Sequence, residues 1–137
     1  MKKNLTKYSI IPLLIALLAL PLASPAFATE PGVTLSKTTL SISEADTSKS
    51  FTLALTSQPA SSVTFSVTNP APTQMSVTPL YLTFTGDNWS TPQTVTVTAT
   101  NDTTADGNTP AVIVLSVLDG TSDDAFDSVP DSTVNVT

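Results

Sequence analysis

The chain contains no cysteine and no histidine, and these two absences remove more chemistry than any other feature of its 137 residues. Without cysteine there is no disulfide framework, no thiol nucleophile and no lipid-attachment site. Without histidine there is no nucleophile–imidazole pair, and with neither residue there is no ordinary zinc site. Carboxylates are the acid–base groups that remain. A glycosidase needs two of them set about 5–10 Å apart across a cleft, and a small domain with short loops has little room for one. The expectation is a protein that is not an enzyme. Positive charge is scarce too, with 5 basic residues against 11 acids. Lys2, Lys3 and Lys7 stand at the extreme N-terminus, so the rest of the chain holds only Lys37 and Lys49. Nothing there neutralises phosphates, which argues against nucleic acid as a partner. Helical periodicity is absent after residue 28.

The N-terminal segment reads as an export signal. The three lysines form a basic leader, residues 10–20 an apolar run, and Ala26-Phe27-Ala28 a small-x-small cleavage site. The run has Pro12 near its start and Pro21 just after its end, and it falls short of the ~20 residues that span a bilayer. Residues 1–28 are therefore expected to be a cleaved signal peptide rather than a retained anchor. Residues 29–137 form one domain, with no membrane span after cleavage, exported to the periplasm, the cell surface or the outside of the cell.

Within 29–137 short runs of alternating apolar and polar residues recur, separated by Pro, Gly, Asn, Asp and Ser. Val95, Val97 and Ala99 alternate with Thr94, Thr96, Thr98 and Thr100, the mark of a strand with one face packed and one face wet. The other inward sets are Phe51, Leu53 and Leu55; Val63, Phe65 and Val67; Met75 and Val77; Leu80, Leu82 and Phe84; Ile113, Leu115 and Val117; and Val134 and Val136. Runs at 33–36 and 40–43 precede them. This spacing predicts an all-β, immunoglobulin-like antiparallel sandwich of about seven strands. Pro79 cannot donate to a ladder, so the run around it is expected to kink and change sheets. The opening pair of runs is similar in form.

Antiparallel order then sorts the loops onto two poles. The first collects the 44–47 turn, the 69–73 turn, the 101–110 loop and the C-terminus. The second collects 57–62, 86–91 and the long 119–131 loop beside Thr29. Acids fall at both: Glu44, Asp46, Asp102 and Asp106 at the first, and Asp87, Asp119, Asp123, Asp124, Asp127 and Asp131 at the second.

A hard cation such as calcium takes 6–8 oxygen ligands. At the first pole Glu44, Asp102 and Asp106 are candidate ligands, with Asp46 and Asn101 as auxiliaries; the same residue types also make tight turns. SISEAD at 41–46, together with VTVTATNDTTADGNTPAVIVLS at 95–116, resembles the Calx-beta type of immunoglobulin-like repeat. The likeness extends to bacterial extracellular repeats that share the NW-x-TPQTVTVT segment. The resemblance implies calcium held by an acid after the first strand and by acids between the last long strands. Glu44 matches the first of these positions, Asn101-Asp102 the second, and Asp106 falls close to a following Glu. Asn101 replaces one acid of the pair, Asn108-Thr109-Pro110 replaces a further acidic stretch, and the terminal acidic run is not present before Thr137. Two readings therefore stand, a weak calcium site and a set of turn-forming Asp, Asn and Gly residues that binds none.

Trp89, the only Trp, stands between two turn clusters. It can cap the open end of the core, the more frequent use of one aromatic in a sandwich, or serve as a sugar-stacking platform. Tyr81 reads as a surface or edge residue. The 119–131 loop is either a second cation or interaction site or a solvated connection with Phe126 and Val129 tucked onto the sandwich. The functional expectation is a non-catalytic structural or adhesion module of the bacterial surface or matrix, touching calcium ions, surface or matrix components, or neighbouring repeats of a longer chain. The alternatives are a small secreted carbohydrate-binding protein and a truncated first repeat of a larger surface protein.

Overall fold

A strand that buries one face needs an apolar residue at every second position and at least one hydrogen-bonded neighbour. The computed structural model describes residues 29–43, 48–100 and 109–137 and shows how the chain meets both requirements. In chain order the strands are β1 (Val33–Leu35), β2 (Thr39–Leu40), β3 (Lys49–Leu55), β4 (Val63–Val67), β5 (Met75–Thr78), β6 (Tyr81–Phe84), β7 (Gln93–Ala99), β8 (Ala111–Val117) and β9 (Ser132–Val136). They form two sheets, one in the order β1-β3-β7-β5 and the other β2-β9-β8-β4-β6. The all-β sandwich expected from the alternation is what forms.

Nine strands reduce to seven runs of chain, because β1/β2 and β5/β6 are each one run divided between the two sheets. At the second division the Thr78–Pro79 peptide is cis, at the proline expected to mark the crossing. All pairings are antiparallel except β2 with β9, where Thr39 and Leu40 lie opposite Asn135 and Val136 in parallel. This pair departs from a purely antiparallel scheme. It arises because the first run crosses onto the second sheet and meets the last strand in the same direction.

The alternation places the core. Phe51, Leu53, Val63, Phe65, Phe84, Val95, Val97, Ile113, Leu115 and Val134 are all essentially inaccessible. Phe65 and Phe84 meet edge to face with ring centroids 6.2 Å apart, an arrangement favoured by the ring quadrupoles. Val117 and Ala99, at strand ends, are only partly buried. Leu80 is a correction: it keeps the parity of Leu82 and Phe84 but is 47% exposed. It lies before the start of β6, in the crossing between sheets, where the alternation that orients its neighbours does not apply. Tyr81, on the edge strand β6, is 63% exposed, as expected. The unpaired side of β6 is partly closed by Gln93, whose Nε2 donates to the Thr83 carbonyl at 2.7 Å.

The 119–131 connection is not plain coil. Short 3₁₀ turns form at Asp119–Thr121 and Asp124–Phe126. Phe126 and Val129 are buried in the core, so the segment is tucked onto the sandwich in the way its two apolar residues suggest. No helix among the described residues is long and apolar enough to cross a membrane.

Candidate functional site

The candidate calcium ligands Glu44, Asp46, Asn101, Asp102 and Asp106 lie outside the described residues. Their flanks are described. Lys49 pairs with Val97, so the start of β3 and the end of β7 are neighbours at the first pole. Thr100 donates its N–H to the Gln74 carbonyl and Ile42 donates to Thr137, which brings the C-terminus to the same end. Among the described residues no group of three or more acids is placed to hold a metal ion.

The described residues form a pocket at the second pole. A pocket of about 440 Å³ is lined by the arm residues Thr29 and Pro31, by 56–60, by Trp89 and by Asp123, Ala125 and Phe126. Four separate stretches of chain meet there because β1 starts, β3 ends, β7 starts and β8 ends at this pole. Trp89 is half-buried and packs on the core, while its carbonyl accepts from the Leu55 N–H at 3.0 Å. It therefore covers the core, as expected of a capping aromatic, and also forms a wall of the pocket.

Asp123 is the organising side chain. Only 8% exposed, it accepts from three backbone N–H groups: Ala60 at 2.6 Å and Ser61 at 2.9 Å on Oδ2, and Ala125 at 3.0 Å on Oδ1. The last bond makes it the cap of the Asp124–Phe126 turn. The N–H groups of Ser61 and Ala125 hold its carboxyl below the usual carboxylate range, against burial, which pushes the other way. The neighbouring Ser122 hydroxyl accepts from Thr64 N–H at 2.9 Å. Together these bonds staple the 119–131 loop to the start of β4. Sequence reasoning placed Asp123 at this pole without singling it out. The usable signal was an Asp one residue ahead of a short turn that carries a buried Phe.

The arm is fixed independently. Thr56 donates its N–H to the Gly32 carbonyl at 2.9 Å and its hydroxyl to the Glu30 carbonyl at 3.2 Å. A Cβ on Gly32 would stand 3.0 Å from the Thr56 Oγ1, so glycine permits this close approach. Across the pocket, Gln58 Nε2 donates to the Gly86 carbonyl at 2.8 Å.

Among the described residues, acids and lysines lie toward opposite ends. Every described acid lies at the second pole: Glu30, Asp87, Asp119, Asp123, Asp124, Asp127 and Asp131. Both described lysines lie toward the first, where Lys37 Nζ donates to the Ser50 carbonyl at 2.9 Å and Lys49 opens β3. Desolvation, and then the charges of Asp119, Asp124 and Asp123, push the Asp127 carboxyl above its ordinary range.

No protein-family model matches the chain, and no curated protein matches it. Solved structures do. A C. elegans MSP family member, WR4, is similar with TM-score 0.55 and 10% identity over 76% of this chain and 94% of that one. The E. coli chaperone DraB gives 0.53 and 11% over 76% of this chain and 53% of that one. The apo-form Calx CBD1 domain gives 0.51 and 11% over 79% and 96%. The chain spans about half the length of the chaperone. At these identities the likeness is one of fold, and the Calx-beta resemblance read from the sequence is supported at that level.

Proposed function

We propose that this chain is a non-catalytic, exported structural or adhesion module of the bacterial cell surface or matrix. The observation that carries this reading is how the chain enters and leaves the sandwich. The arm joins at the second pole and β9 ends at the first, with β2 and β9 paired in parallel between them. Tension applied between Thr29 and Thr137 pulls β2 and β9 past one another along their length. The bonds Asn135 N–H to Thr38, Thr137 N–H to Leu40 and Ile42 N–H to Thr137, each 2.9 Å, then bear load together rather than one at a time. That geometry suits a domain held under tension between attachments.

Single-molecule extension between residues 29 and 137 tests it. The expected record is one abrupt unfolding event at a high force, reduced in Ile42→Pro, which deletes one of the three donors. An unfolding force that is low, and equal in the parent and Ile42→Pro, would refute the load-bearing reading.

A weak calcium site at the first pole belongs to the same proposal. What supports it is that 44–47 and 101–108 leave from adjacent strands, β3 and β7, beside the Thr137 end.

A further inference from the structure

We infer that the second-pole pocket is an ammonium site whose occupant is the α-amino group of Thr29, freed when the leader is removed after Ala28. This rests on the export reading above. Thr29 is already part of the pocket wall, together with Asp123 and Trp89. The arm is anchored one residue away by the Thr56 hydroxyl on Glu30 and again at Gly32, so the amine has a short tether.

The surroundings include groups that favour a cation. A carboxylate offers about four acceptor sites, and Asp123 uses three on backbone N–H groups, leaving acceptor capacity for a further donor. Trp89 lines the same pocket, and an indole attracts a cation held within about 6 Å of its centre. Asp123 is the acid in the pocket wall, and three of the four stretches carry further acids nearby in sequence: Glu30 between Thr29 and Pro31, Asp87 two residues before Trp89, and Asp124 and Asp127 beside Ala125 and Phe126. Neither described lysine is at this pole, so no described cation competes. Of the polar residues in the remaining walls, Thr56, Ser57 and Gln58, two already have partners: the Thr56 hydroxyl donates to the Glu30 carbonyl and Gln58 Nε2 to the Gly86 carbonyl. In the uncut precursor the same nitrogen is a neutral amide; cleavage supplies the charge.

The linkage has a definite sign. An amine whose pKa is raised by folding adds stability that is fully present below its unfolded value, about 7.7–8.0. That stability is lost as pH rises through the folded pKa.

The test uses a chain prepared to begin at Thr29 and the same chain acetylated at its α-nitrogen. The amine is titrated by NMR in the folded protein and in urea, with Trp89 emission followed in parallel. A folded pKa roughly half a unit or more above the unfolded one is expected, with an emission change at that pH that acetylation abolishes. Asp123→Asn should return the pKa to its unfolded value. Because that variant also loses backbone acceptors, Trp89→Leu serves beside it and should reduce the shift while keeping the carboxylate. Equal folded and unfolded pKa values, or the same emission change in the acetylated protein, overturn the proposal. So does a response of Trp89 to added Nα-acetyl-lysine amide or to a soluble polysaccharide that leaves the amine's pKa unmoved, since the pocket would then serve an outside partner. N-terminal sequencing of exported protein reports separately on the cleavage. A first residue other than Thr29 refutes the occupant and the processing reading, while the prepared chain still decides whether the pocket holds an ammonium group.

Discussion

Trp89 stands half in the core and half in the pocket wall, so its removal should cost less than that of a fully enclosed aromatic. Complete burial makes Trp→Ala worth about 3–5 kcal/mol; for Trp89→Ala about 2 kcal/mol is expected, because only part of its area leaves water. Chemical denaturation checks this through a lowered midpoint at unchanged slope, and a midpoint equal to the parent's would show that the ring does not cover the core. Asp123→Asn acts differently. It replaces a carboxylate that accepts three N–H groups with an amide that has one acceptor oxygen, so the melting temperature should fall at neutral pH. The Asp123 carboxyl is held low in the folded state, and its contribution is present above the unfolded pKa, about 3.9. It is lost as pH falls through the folded value. Melting curves of parent and variant should therefore converge in strong acid, and a gap independent of pH would refute the linkage.

At the scale of elements, the 119–131 connection contains opposed terms. Phe126, Val129 and the Asp123 bonds tie it down, while crowded carboxylates push it apart. Asp127 carries that conflict, with its carboxyl raised by desolvation and by Asp119, Asp124 and Asp123. A raised carboxyl pKa means the folded state holds the proton more tightly, so stability falls as pH rises through the window between the unfolded and folded values. Asp127→Asn should accordingly raise the melting temperature at neutral pH, with the gain disappearing once the pH is below the ordinary carboxylate range. A variant no more stable than the parent at neutral pH would show that solvent already screens the repulsion.

For the molecule as a whole, the two poles are expected to respond differently to calcium. Titration of 29–137 should show weak binding, about 10⁻⁴–10⁻³ M, the range of extracellular sites with few anionic ligands. The Asp102→Ala/Asp106→Ala variant should lose it. Equal binding by parent and variant would place any calcium elsewhere. Extending the chain past Thr137 with an acidic tail should tighten the interaction by adding ligands at the pole where Thr137 is held.

The inward sets from Phe51 to Val136 were legible in the sequence because the direction of a side chain in a strand depends only on its parity. The two poles were legible for a related reason, since successive short strands joined by turns must reverse. Pro79 announced a crossing because a proline has no N–H for a ladder. Leu80 shows the limit: its parity matches its neighbours', but parity orients nothing where the chain leaves one sheet for the other. The parallel β2–β9 pair and the pocket were decided only by tertiary structure. Asp123 meets Ala60 from 63 positions away, and no local pattern encodes that partner. Which acid becomes a buried cap and which stays in solvent depends on where four stretches of chain converge, and that convergence exists only once the two sheets have closed on one another.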